Sequence, residues 1–111
     1  MKVNRGGIKE GTMVEVLEGK TPVLIANVGG SYYAVGGICP HMRCHLQKGT
    51  LKGSTVTCPC HGASFDVTTG RMLSWVASMS KDLAMVSKYL GWAKDLKTYS
   101  VKADGDYLEL S

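Results

Sequence analysis

The pattern of apolar and polar positions in the first third of the chain reads as strands. Thr12 to Leu17 carries a period-two pattern, and Glu18-Gly19-Lys20 follows as a turn. Pro22 to Val28 is apolar and β-branched, Gly29-Gly30 is a two-residue hairpin signal, and Ser31 to Val35 pairs back. Gly36-Gly37 then ends the patterned region. Thr55 to Cys58 and Ser64 to Val67 predict two further short strands, with Thr68-Thr69-Gly70 as the next turn. Near the end, Thr98 to Lys102 and Tyr107 to Leu110 flank Ala103-Asp104-Gly105-Asp106, which predicts another hairpin. The fourteen glycines suit an all-β chain with many tight turns.

One segment changes period. Between residues 80 and 96 the apolar positions recur at helical spacing. Met79, Leu83, Val86 and Leu90 form one stripe; Met85, Tyr89, Trp92 and Leu96 form a second. Ser80 serves as N-cap and Asp82 lies in the first turn, where a helix dipole favours an acid. Two stripes cover more of the wheel than one core-facing helix needs. Two readings follow: a helix wedged between the sheet and a loop, or a helix with one stripe turned to a partner or a second copy.

Composition narrows the function classes. With 44% hydrophobic and 20% charged residues in 111, the chain is suited to one folded domain rather than extensive disorder. No apolar run approaches the ~20 residues that span a bilayer, and Met1 to Gly7 lacks a signal-peptide core; a soluble, cytoplasmic protein is expected. Thirteen Lys and Arg stand against nine Asp and Glu, a formal charge of +4. The basic residues are scattered (Lys2, Lys20, Lys52, Lys81, Lys97) and aromatics are few, which argues against a nucleic-acid surface.

The chemistry is concentrated elsewhere. All four Cys and all three His lie between positions 39 and 61. Cys39-Pro40-His41-Met42-Arg43-Cys44-His45 reads C-x-H-x2-C, and Cys58-Pro59-Cys60-His61-Gly62 reads C-x-C-H-G. Each segment offers a thiol and an imidazole close together, which suits two loops clamping a compact metal centre. Zinc sites usually draw C-x2–4-C and H-x3–5-H pairs, so C-x-H fits them poorly. A two-iron cluster needs a separate pair of terminal ligands on each iron, and thiolates on one with imidazoles on the other is the mixed arrangement.

The paired boxes resemble those of the Rieske 2Fe–2S proteins, particularly the small free-standing ferredoxins, archaeal ones among them. The resemblance implies an antiparallel sandwich-like fold with a two-loop cluster-binding subdomain (loops 37–50 and 57–66), a single domain over 1–111, and the helix at about 80–96 as an insertion. It implies one Rieske-type 2Fe–2S cluster, with Cys39 and Cys58 on one iron and His41 and His61 on the other. Two neutral imidazoles in place of two thiolates leave such a centre less negative, so it accepts an electron more readily. Cys44 and Cys60 match positions that form a loop-locking disulfide in the cytochrome bc-type branch; two free thiols beside the cluster are the alternative.

Several positions depart from the family pattern. Arg43 stands where glycine is usual, and His45 matches no ligand position, which makes it a surface imidazole. The high-potential branch carries a Ser and a Tyr whose hydroxyls donate to sulfur, whereas this chain has Ala63 and Phe65. A reduction potential in the lower half of the Rieske range of about −150 to +300 mV is therefore expected. Met42, Leu46 and Pro59 would form an apolar contact surface around the cluster, or else merely shield it. The resemblance implies a one-electron carrier with no catalytic activity of its own, working with redox partner proteins (a reductase, an oxygenase or a respiratory component) and with self-association through 80–96 as a further option. The alternatives are a Rieske subunit or soluble fragment of a respiratory complex, and a non-redox zinc- or disulfide-stapled binding module.

Overall fold

The computed structural model describes residues 1–39, 44–59, 62–74 and 95–111. Their strands, all paired antiparallel, form three sheets. The central one is β2 (Met13–Glu18), β3 (Thr21–Val28), β4 (Ser31–Gly36) and β9 (Thr98–Tyr99), in that order. A terminal sheet joins β1 (Lys2–Asn4), β11 (Tyr107–Leu110) and β10 (Val101–Asp104). A loop-bearing sheet joins β5 (Thr50–Lys52), β6 (Thr55–Thr57), β7 (Ser64–Asp66) and β8 (Met72–Ser74).

The β3 strand explains this arrangement. It sits between β2 and β4, and both of its faces are buried, which is why its sequence is continuously apolar rather than alternating. Val23 and Ile25 point into a core with Ile8, Ala34, Leu108 and Leu110, against the terminal sheet. Leu24 and Ala26 point the other way, into a core with Val35, Cys39, Val56, Cys58 and Phe65, against the loop-bearing sheet. The β3–β4 hairpin turns at Gly29 and Gly30, whose φ of 60° and 89° are open to glycine at no steric cost. Buried Asn27 completes that corner: its side-chain amide donates to the Ile8 carbonyl at 2.9 Å, and its oxygen accepts the Gly30 N–H at 3.0 Å.

The segment expected as one strand over Thr98 to Lys102 is two. Ser100 exchanges backbone hydrogen bonds with Ser111 at 2.9 and 3.0 Å, so β9 stays on the central sheet while β10 crosses to the terminal one. The expected helix at about 80–96 lies almost wholly outside the described residues. Its last two positions, Asp95 and Leu96, are not helical, which corrects that boundary. Leu96 donates its N–H, the group a helix would use, to the Gly70 carbonyl at 2.7 Å, and the Asp95 side-chain carboxylate accepts the Met72 N–H at 2.8 Å. Among the described residues, no helix is long and apolar enough to cross a membrane.

Candidate iron–sulfur centre

Two loops leave the sheets on the side of the second core. The first follows β4 and is pinched at its base by backbone hydrogen bonds. Gly37 donates to the Pro22 carbonyl at 3.0 Å and accepts the Leu46 N–H at 2.9 Å, Ile38 bridges His45, and Cys39 donates to the Cys44 carbonyl at 2.8 Å. This hairpin-like neck brings Cys39 and Cys44 together. Beyond it the chain winds through a 3-10 turn, Leu46–Lys48, and enters β5.

The second loop follows β6 and is tighter. Cys58 donates to the Ala63 carbonyl at 2.7 Å, and its own carbonyl accepts the Gly62 N–H at 3.1 Å. Gly62 takes φ 76°, the left-handed conformation glycine adopts freely. The loop thus returns to β7 within a few residues, carrying Cys58 at its entry.

The loops are fixed against one another by a close backbone approach. A Cβ on Gly49 would land on the Thr57 carbonyl oxygen, directly before Cys58, and within 3.2 Å of Pro59 Cδ. Only glycine admits that approach, so the exit of the first loop and the entry of the second share one backbone contact.

Cys39 and Cys58 are buried in one core, 0% and 1% exposed, which also holds Leu46, Val56, Ala63 and Phe65. Two buried thiols at loop entries, in an apolar and water-poor setting, are the donor set one iron of a mixed-ligand cluster requires. His41 and His61, expected on the second iron, lie outside the described residues, as do Arg43 and Cys60. Cys44 is disulfide-bonded. Ala63 and Phe65 are fully buried in the same core as Cys39 and Cys58 and bring no hydroxyl to it.

Two expectations change. Leu46 is 0% exposed and belongs to the core beneath the loops, so it does not form a contact surface; of that trio Pro59 is exposed and Met42 lies outside the described residues. His45 is part-exposed, yet it is not a bystander: its Nδ1 lies 2.5 Å from Glu15 Oε1 on β2. Glu15 was missed by sequence reasoning, although its parity along β2 was a signal. It falls on the same side as Met13, which packs on the cysteine-bearing core, while Val14 and Val16 pack on the other.

Comparison with known proteins agrees with this geometry. A model of the Rieske [2Fe-2S] domain matches residues 3–100. The ferredoxin component of biphenyl 2,3-dioxygenase from Rhodococcus jostii (strain RHA1) is 33% identical over 101 residues, covering 91% of this chain and 80% of that protein. Sulredoxin from Sulfurisphaera tokodaii is 38% identical over 90 residues, covering 79% and 74%. A chain from the complex of reduced oxygenase and oxidized ferredoxin in carbazole 1,9a-dioxygenase superposes with a TM-score of 0.79 at 26% identity, with full coverage of both chains. The chain belongs to the Rieske [2Fe-2S] family, as an electron carrier that holds a Rieske-type cluster.

Proposed function

We propose that the cluster is held by Cys39 and Cys58 through sulfur and by His41 and His61 through ring nitrogen, and that the chain passes single electrons from a reductase to an oxygenase. The observation that carries the ligand set is the pair of buried thiols, Cys39 and Cys58, at the entries of two loops packed on one core. The cluster, when bound, supplies a centre that takes up and gives back one electron.

The chain's own residues do the rest. Leu46, Val56, Ala63 and Phe65 exclude water from around the two sulfurs, which strengthens electrostatics there. The neck at Cys39 and Cys44 and the turn at Cys58 to Ala63 hold the sulfurs in place before and after electron transfer. A disulfide between Cys44 and Cys60 would tie the two loops together; in the chain-entropy model, closing a loop of that size is worth about 3 kcal/mol.

The oxygenase is proposed as acceptor because relatives are ferredoxin components of dioxygenase systems and a similar chain comes from a ferredoxin–oxygenase complex. The same likeness supports a cytoplasmic place of work. The disulfide at Cys44 is the feature that favours a respiratory-complex subunit instead, but the match to small ferredoxins over 91% of the chain weighs against it.

Replacing the ligands one at a time tests this assignment. Cys39→Ser and Cys58→Ser should each abolish the Rieske EPR signal, as should His41→Ala and His61→Ala. A signal that survives any one of them removes that residue from the ligand set. Thiol titration of the demetallated, denatured and unreduced protein should find two thiols; four would eliminate the disulfide.

A further inference from the structure

The first loop is attached to the central sheet by a contact that metal ligation does not require. His45 Nδ1 lies 2.5 Å from Glu15 Oε1, with the Glu15 side chain 17% exposed and that of His45 42%. A carboxylate at an inward position of a strand is costly to desolvate unless it is paired, and here the pairing group comes from the cluster loop. His45 sits where a pull is transmitted efficiently. It follows Cys44, bridges Ile38 across the neck, and caps the 3-10 turn, where its carbonyl accepts the Lys48 N–H at 3.1 Å. Cys39 is the next residue after Ile38, and its N–H is bonded to the Cys44 carbonyl.

We propose that Glu15 and His45 form a clamp that positions the first cluster-binding loop, and with it the Cys39 sulfur, on the central sheet. The proposal rests on Cys39 being a cluster ligand. Both are positioning residues: they act through the neck and touch no iron. A clamp is distinguishable from a simple field effect. If the pair acted only through the Glu15 charge, Glu15→Gln would change the cluster's properties as much as Glu15→Ala does. Releasing the loop moves them in the same direction whichever partner is lost.

The test uses the cluster-loaded protein and four variants: Glu15→Ala, His45→Ala, the double replacement, and Glu15→Gln, whose amide oxygen still accepts the imidazole N–H. Loss of the visible absorption in excess iron chelator is timed well below the unfolding temperature, and the EPR g values of the reduced protein are recorded. Each alanine variant should lose its cluster about fivefold faster, the scale of a part-exposed polar side-chain contact. The double variant should be no faster than the single ones, because one contact is broken once. The g values should shift in the same direction in both single variants, and Glu15→Gln should stay near the parent. Should Glu15→Ala not fold, Glu15→Asp, one methylene too short, carries the same measurement.

Rates within about twofold of the parent, or a double variant whose acceleration is the product of the two single ones, would overturn the clamp. So would faster loss with unchanged g values and a matching fall in the unfolding temperature, which marks a merely structural contact. A Rieske signal that persists in Cys39→Ser overturns the ligand assignment instead, and does so without reference to positions 15 and 45.

Discussion

His45 Nδ1 and Glu15 Oε1 are 2.5 Å apart, so the residue after Cys44 is held by a strand of the central sheet rather than by the metal centre. The neck of the first loop therefore has support of its own: the Ile38–His45 bridge, made by the Leu46 N–H on the Gly37 carbonyl and the Cys39 N–H on the Cys44 carbonyl. After removal of the cluster, the Leu46 and Cys39 amides should remain protected in hydrogen–deuterium exchange. Exchange as fast as at the exposed Lys9 amide would mean that the metal, not the chain, builds the neck.

The reduction potential should fall in the lower half of the range of about −150 to +300 mV, because Ala63 and Phe65 offer no hydroxyl to the sulfurs. Phe65→Tyr adds a donor at a fully buried site and should raise the potential, since hydrogen bonds to sulfur stabilise the added electron. Protein-film voltammetry near neutral pH reads both. A parent potential near the top of the range, or a downward shift in Phe65→Tyr, would contradict the assignment of low potential to these two residues.

Leu24 and Ile25 are adjacent, both 0% exposed, and face opposite cores. Truncating either to Ala should cost about 2–5 kcal/mol in unfolding free energy. Their effects on the cluster should differ, because only Leu24 shares a core with Cys39 and Cys58. Leu24→Ala should hasten cluster loss in chelator at a temperature where both variants are folded, while Ile25→Ala should not. Equal acceleration would show that the two cores are not mechanically separate.

Gly49 and Gly7 make a matched pair of tests. A methyl on Gly49 collides with the Thr57 carbonyl, whereas one on Gly7 meets nothing within 4 Å. Gly49→Ala must push the two loops apart and should cost about 1–3 kcal/mol, seen as a lower unfolding temperature and incomplete cluster loading. Gly7→Ala should stay within about 0.5 kcal/mol of the parent. Full loading in Gly49→Ala would remove the loop-to-loop contact from the description of the site.

How much of this was legible follows from what each feature depends on. Strands β2 to β4 were readable because alternation, a continuous apolar run and Gly29-Gly30 are all local signals. Strands β1, β5 and β8 have three residues each, too few to show a period; β6 and β7 are as short, but the β-branched Thr55-Val56-Thr57 and the alternating Ser64-Phe65-Asp66-Val67 are local signals. The break at Ser100 is set by a partner eleven residues away, Ser111, and nothing local announces it. The cysteines were legible by spacing, and Cys39 and Cys58 do share a core. The tight approach at Gly49 and the burial of Leu46 were not, because both depend on what packs opposite. The Glu15–His45 contact lay between these cases: the parity of Glu15 pointed inward, but its partner is thirty residues away.

The most direct test of the central claim is a reductive titration of the purified protein followed by EPR. One electron should be taken up per chain, at a potential inside about −150 to +300 mV, with a Rieske-type signal appearing as the visible bands bleach. A colourless protein that takes up no electron and contains zinc, or a reduced protein with the signal of an all-cysteine cluster, would contradict it.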